Sequence, residues 1–253
     1  MTSAEPQVRL GRGRLATWLA LAAALVSLAI LLSLGFWQVQ RLAWKEELIA
    51  TIDARTAAEP VPLSVVLASD RSLADEEYRP VRVEGAFVHA AERHFFATHG
   101  GASGFYVYTP LRLDNGDHLF VNRGFVPYDR KDPATRPESQ PQGPVSVVGL
   151  VRVALVEKPS AIVPDNNPAG NVFYWKDIRA MAASAGLPEG APILGLFVDA
   201  DDTPNPGGLP IGGVTIVNLS NNHLQYAVTW FGVAAALAGV LGVWGWRAYR
   251  GNS

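Results

Sequence analysis

The sequence predicts an α+β protein: two transmembrane helices flanking an outer-facing domain with an antiparallel sheet or partly closed barrel and one or two helices. Three observations predict it. Two uncharged apolar runs, Leu15 to Trp37 and Tyr226 to Trp246, stand near the ends of a 253-residue chain. Between them, short β-branched and aromatic runs alternate with Gly, Pro and Asn turn signals. One amphipathic pattern of helical period, running from Tyr174 to Ala185, interrupts the strands.

The first apolar run would span roughly 35 Å as a helix, enough to cross a bilayer core. Both runs carry aromatics near their ends, Trp18, Phe36 and Trp37 on one and Tyr226, Trp230, Trp244 and Trp246 on the other, where headgroups favour them. Arg9, Arg12 and Arg14 precede the first run, and Arg247 and Arg250 follow the second. The positive-inside rule then sets both termini in the cytoplasm. The expected segments are a tail at 1–14, a first span at 15–37, an outer domain at 38–225, a second span at 226–246 and a tail at 247–253. This describes a multi-pass protein of a bacterial inner membrane, or of its mitochondrial equivalent. A cleaved signal peptide is the rival reading of the N-terminus. The run exceeds a usual signal core and continues into Gly35-Phe36-Trp37-Gln38 without a convincing cleavage site, which favours an uncleaved anchor.

Between the spans lie 16 of the 21 basic residues and 22 of the 23 acidic ones. That acidic balance argues against a nucleic-acid partner, because phosphate binding needs a basic face. The chain has no cysteine. Disulfides, thiol catalysis and Cys-based metal sites are therefore excluded, and Met1 and Met181 are too few for a thioether copper site.

The order of elements follows from local pattern. Gln38 to about Ala57 is helical in spacing, with Leu42, Ile49 and Ile52 on one face, and continues the first span until Pro60 and Pro62. Strands are expected at Val81 to Val88, Phe105 to Leu113, Leu119 to Val126, Val145 to Val156, Ile193 to Val198 and Val214 to Val217. Asp114-Asn115-Gly116-Asp117 joins the second and third as a hairpin, since Asn-Gly suits the positive φ of the favoured tight turns. A helix is expected from a cap at Asn171 through Tyr174, Ile178, Met181 and Ala185 to Gly186 and Pro188. Two irregular loops, Pro127 to Pro144 and Asp199 to Gly213, connect strands or serve as partner surfaces. Gly232, Ala235, Ala236, Gly239 and Gly242 form a small-residue ridge on the second span, and Ala20, Ala23, Ala24 and Ser27 another on the first. Such ridges either pack the two spans together or stay free for a partner.

Five motifs then fall in order: Leu34-Gly35-Phe36-Trp37-Gln38-Val39-Gln40-Arg41-Leu42-Ala43-Trp44-Lys45; Tyr78-Arg79-Pro80-Val81-Arg82-Val83-Glu84-Gly85; Gly104 to Leu111 with Phe120-Val121-Asn122-Arg123-Gly124-Phe125-Val126-Pro127; Asn171-Val172-Phe173-Tyr174-Trp175-Lys176-Asp177; and Asn222 to Trp230. Each is weak alone. The ordered set, from Leu34 to Trp246, closely resembles the Surfeit locus protein 1 family, membrane proteins of cytochrome c oxidase assembly. Phe125 departs from the tryptophan usual in the family's Asn-Arg-Gly-Trp-Val-Pro motif. Ala161 to Asn166 lacks the usual aromatic before its proline. Neither departure removes a polar group. The resemblance implies a non-enzymatic chaperone of respiratory chain complex IV biogenesis, which binds haem a and helps insert it into the oxidase's catalytic subunit. That subunit is the implied partner, with haem a synthase as a second candidate, membrane lipid as surroundings, and oligomerisation open. The implied ligand of the haem iron is His223.

The residues themselves leave this open. In a helix His223, Tyr226, Ala227 and Trp230 share one stripe. Ala227 would leave room for a flat macrocycle, and Tyr226 and Trp230 could pack on it. Gln38, Arg41 and Lys45 share another stripe, from which Arg41 or Lys45 could pair with propionates. The plainer alternatives are an interfacial histidine bonding a loop carbonyl and solvated or headgroup-binding cations. His89, His94 and His99 are read as surface or loop histidines rather than a metal site, and His118 as a turn residue. Arg123 is expected in an ion pair or a docking contact. Two other functions stay in play. One is a membrane-anchored sensor or scaffold, weakened by short tails with no output domain. The other is a hydrolase, weakened by the absence of a Gly-x-Ser-x-Gly elbow, a His-Glu-x-x-His zinc motif or a phosphate-binding glycine loop.

Overall fold

The computed structural model describes residues 9–188, 190–215 and 221–251. In chain order these form α1 (Arg9–Thr56), β1 (Val61–Pro62), α2 (Leu63–Leu67), β2 (Pro80–Phe87), β3 (Arg93–His99) and β4 (Ala102–Arg112). There follow β5 (His118–Pro127), β6 (Pro144–Val153), α3 (Ile178–Ser184), β7 (Ile193–Ala200) and α4 (His223–Gly251). Packing divides the chain into two compact units, one formed by the two terminal helical segments and the other by Ile52–Val217.

In the helical unit, α1 and α4 are long and apolar enough to cross a membrane, and only 6% and 11% of their most apolar windows are buried. Core helices of soluble proteins are mostly buried, so these fit a membrane protein. Polar side chains inside them are satisfied locally: Ser27 and Ser33 each donate to a carbonyl four residues back at 2.8 Å, and Thr229 does so at 2.9 Å. Hydrocarbon demands this economy. The helices pair through Gly35 and Gln38 of α1 and Ala227 and Ala234 of α4, which are buried. Phe36 meets Phe231 edge-on at 5.4 Å. Gly35 is needed there, because a Cβ would fall 2.6 Å from Phe231 Cε1. The ridge of Gly232, Ala235, Ala236, Gly239 and Gly242 is exposed, as are Ala20, Ala23 and Ser27. The two helices thus pair along neighbouring stripes, and both small-residue ridges are left largely uncovered.

The second unit is a closed barrel. Its strands run in the order β2-β6-β7-β5-β4, and β4 pairs back onto β2, with β1 and β3 added alongside β2 and β4. Closure is short, with Ala86 opposite Arg112 and Phe87 opposite Leu111. Gly85 permits it: a Cβ there would lie 2.4 Å from the Arg112 carbonyl oxygen. The strand pairings are antiparallel, as expected, except β1 with β2 and β5 with β7. The β5–β7 exception is reached through the long excursion carrying β6 and α3, the kind of connection a parallel pair needs. Alternate residues of β5 and β7 serve two cores. Leu119, Val121, Leu196 and Val198 join Val81, Val83, Leu111, Val151 and α2 on one side. Phe120 and Phe197 join Tyr108, Phe173 and Met181 of α3 on the other. Burial on both faces suits the unbroken apolar run Leu119-Phe120-Val121 within β5.

The hairpin turn forms as expected, with Gly116 at φ 89° and Leu113 N–H bonded to the Asp117 carbonyl at 2.8 Å. The helix expected from Asn171 starts later. Asp177 caps α3, accepting from Ala180 N–H at 3.0 Å. Asn171 instead sits at φ 48°. The backbone of Phe173 is committed to β3, bonding His94 and Phe96 at 2.9 and 2.8 Å, so a helix cannot begin there. Tyr174 therefore lies before the helix, while Ile178 and Met181 lie in it. β3 itself was not expected, and its His94 is a buried core residue rather than a surface one. His118 is buried at the start of β5, paired with Arg112, not in the turn. Val214 and Thr215 are outside any strand, and 216–217 lie outside the described residues. The expected extension of β6 to Val156 stops at Val153.

Candidate functional site

In the helical unit, His223 opens α4 directly after Asn222, whose carbonyl accepts from Tyr226 N–H at 3.3 Å. His223 Nδ1 lies 2.7 Å from Gln38 Oε1 of α1. An amide oxygen only accepts, so Nδ1 is the donor, and in the neutral ring the lone pair lies on Nε2. Among the described residues nothing bonds Nε2. This is the arrangement typical of ligating histidines: one ring nitrogen oriented by a neighbour, the other left for the metal. Gln38 is buried and His223 half-buried. The His223 imidazole is thus a residue that would hold haem iron, were haem bound.

The other expected members of the site scatter. Ala227 is covered in the helix pair, Trp230 is half-buried and Tyr226 is exposed. The Arg41 guanidinium stacks on Trp44 of its own helix at 4.2 Å. Lys45 is half-buried. No hydrogen bond or ion pair among the described residues joins Arg41 or Lys45 to the His223–Gln38 couple. Gln38 is the partner that sequence reasoning put only on the propionate stripe. Its signal was its place on that stripe, four residues before Leu42.

The barrel unit holds two buried polar clusters that the sequence did not single out. In the first, Glu92 Oε1 accepts from Arg136 Nη2 and lies 3.0 Å from His94 Nε2. Burial would raise the Glu92 carboxyl, but the His94 contact and the Arg136 charge outweigh it and hold the pKa below its ordinary 4.5. Arg136 also donates to the carbonyls of Arg130 and Lys131 and to Ser139 Oγ. It thereby ties down the proline-rich loop after β5. Arg123 is buried beside it with no carboxylate partner among the described residues, donating to the Ser139 carbonyl and to Asn205 Oδ1 at 2.5 and 3.0 Å. Burial lowers its pKa to about 10. The expected ion pair is thus replaced by bonds to loop acceptors, with Phe87 stacked on the guanidinium at 4.8 Å. Both irregular loops are held this way, one through Ser139 and the other through Asn205.

The second cluster centres on Asp199 of β7. Asn122 donates to its Oδ1 at 3.1 Å, and Arg152 and Thr215 donate to its Oδ2 at 3.1 and 2.8 Å. Arg152 also binds Glu77 Oε1 at 2.8 Å. Burial lowers the Arg152 pKa, but the Asp199 and Glu77 charges more than reverse it. No group of three His, Asp or Glu side chains suited to a metal ion occurs among the described residues.

These features define a class: a protein built to span a membrane twice, with its two spans coupled through a histidine–glutamine pair and an α+β barrel encoded between them. The sequence model described as the SURF1 family matches residues 25–235. Human Surfeit locus protein 1 is 43% identical over 220 residues, covering 80% of this chain and 70% of the human protein. The rat protein of the same name is 42% identical over 80% of this chain and 68% of its own length. A SURF1-like protein of Monosiga brevicollis is 37% identical over 91% of this chain and 88% of its own. The chain belongs to the SURF1 family.

Proposed function

We propose that this protein is a non-catalytic assembly factor for haem–copper cytochrome c oxidase, and that His223 holds haem a before its insertion into the catalytic subunit. The supporting observation is the His223–Gln38 couple. With Nδ1 held by Gln38 of the other helix and Nε2 unbonded, the His223 ring is a poised ligand rather than a filler. Haem, when bound, supplies an iron that takes one imidazole and a macrocycle that needs apolar cover. In this reading Trp230 would give cover, and Arg41 or Lys45 would pair with a propionate. The arginines in the first turns of α1 and at the end of α4 favour cytoplasmic termini, with the barrel on the outer side of the inner membrane.

The experiment is purification after co-expression with haem a synthesis, comparing the parent with His223→Ala and Gln38→Leu. Haem occupancy should fall to background in the first and several-fold in the second. Parent-like occupancy and spectrum in His223→Ala would remove His223 as the ligand. A gene deletion that leaves haem a-containing oxidase activity normal would remove the assembly role itself.

A further inference from the structure

Beside Asp199, the barrel unit carries two cavities of about 430 and 270 Å³. They share three lining residues, Phe95, Arg152 and Lys176. Tyr174 and Trp175 line the larger, and Tyr106 and Tyr108 the smaller. Phe95 and Tyr106 lie nearly parallel, at 12°. Aromatic rings thus form part of the wall of both cavities, and two cations, Arg152 and Lys176, stand where they join.

Most of those polar groups are already spent. Glu77 takes Arg152 Nε and the Val153 N–H at 2.8 and 2.6 Å. Asp199 is filled by Asn122, Arg152 and Thr215. Lys176 differs. Its Nζ is 3.7 Å from Asp199 Oδ2, beyond hydrogen-bond reach. It faces the rings of Tyr108 and Phe197 at 5.5 and 5.7 Å. No acceptor among the described residues takes any of its three N–H groups. Its side chain is 18% exposed, so solvent reaches it only through the cavities that it lines. Burial lowers its pKa, with Asp199 partly opposing. An ammonium held in this way, where two aromatic cavities meet, lacks one thing: an acceptor brought by a ligand.

We propose that this cleft binds a flat apolar molecule ending in a single carboxylate, with the carboxylate on Lys176 and the rings against Phe95, Tyr106, Tyr174 and Trp175. One charge is favoured over two, because Asp199 stands beside the lysine and would repel a dianion. The proposal is independent of the haem reading, since it uses no residue of α1 or α4.

The test uses the full chain in lipid nanodiscs, labelled with 5-fluorotryptophan. Trp175 is the one tryptophan between Ile52 and Val217, and Trp175→Phe assigns its fluorine signal. Titration with 2-naphthoate should shift that signal saturably. Lys176→Met should weaken binding about tenfold or more, as loss of a charge-assisted hydrogen bond does. Lys176→Arg should retain most of it, and 2-naphthylmethanol should bind the parent more weakly than the acid. Ala154→Phe, which fills the wall of the larger cavity without altering charge, should also abolish binding and serves if Lys176→Met does not fold. The proposal is overturned if the Trp175 signal does not saturate in the parent. It is equally overturned if only the membrane tryptophans respond, or if folded Lys176→Met or Ala154→Phe binds like the parent.

Discussion

Replacing Arg136 by methionine would test whether the Glu92 cluster holds the barrel's outer loops. The guanidinium and the Glu92 carboxylate are 2% and 4% exposed, so neither has water to fall back on. Removing one partner of such a pair strands the other charge and costs about 3–5 kcal/mol. The loop loses its ties to Arg130, Lys131 and Ser139 as well. For a domain of this size each kcal/mol lowers the melting midpoint by about 2–4 °C, so the expected loss is about 6–20 °C. The assay is proteolysis of the full chain in nanodiscs as temperature rises, reading cleavage within residues 52–217. Adding Glu92→Gln should recover part of the loss, because the stranded carboxylate is gone; a coupling of about 1–3 kcal/mol is expected for groups in one network. A shift under about 3 °C for Arg136→Met, or strict additivity in the double variant, would refute the reasoning.

Three further outcomes are expected. Because Glu92 has a lowered pKa, its stabilising contribution is complete above its unfolded value of 4.5 and disappears as pH falls through the lower folded value; Glu92→Gln should flatten the dependence of the melting midpoint on pH below 4.5. Gly124→Ala should destabilise the barrel unit by about 3 kcal/mol or more, since residue 124 has φ +121° and a Cβ would meet the Ile211 carbonyl oxygen at 1.9 Å; the same proteolysis assay reads it. In a chain with no native cysteine, a short bismaleimide should join Gln38→Cys to His223→Cys efficiently, and Gly35→Leu should cut that yield several-fold by pushing Phe231 away; unchanged crosslinking would argue against the helix pairing.

The membrane helices, most of the barrel strands and the hairpin turn were legible because each is a local pattern. Leu119 to Val126 announced β5, and Asn115-Gly116 its turn, without reference to any distant residue. β3 escaped because Arg93, His94 and His99 do not look like strand residues, and His94 holds its buried place through Glu92 and the ring of Phe105. Asn171 misled for a related reason. Asparagine suits a helix cap and a left-handed residue equally, and the pairing of Phe173 with β3 chose between them. His223 was legible as a boundary histidine, whereas its bond to Gln38, 185 residues away in sequence, was not.

The chain by itself determined a two-span protein of the SURF1 family with an α+β domain between its spans, since hydropathy, periodicity and ordered motifs are local properties of the chain. Only the tertiary structure decided that the sheet closes into a barrel through Gly85 and that Arg123 bonds loop acceptors rather than a carboxylate. It also decided that Gln38 orients the His223 ring and that Lys176 is left with unspent donors between two cavities. Each depends on side chains meeting from remote segments, and burial, not sequence spacing, sets what such a meeting is worth.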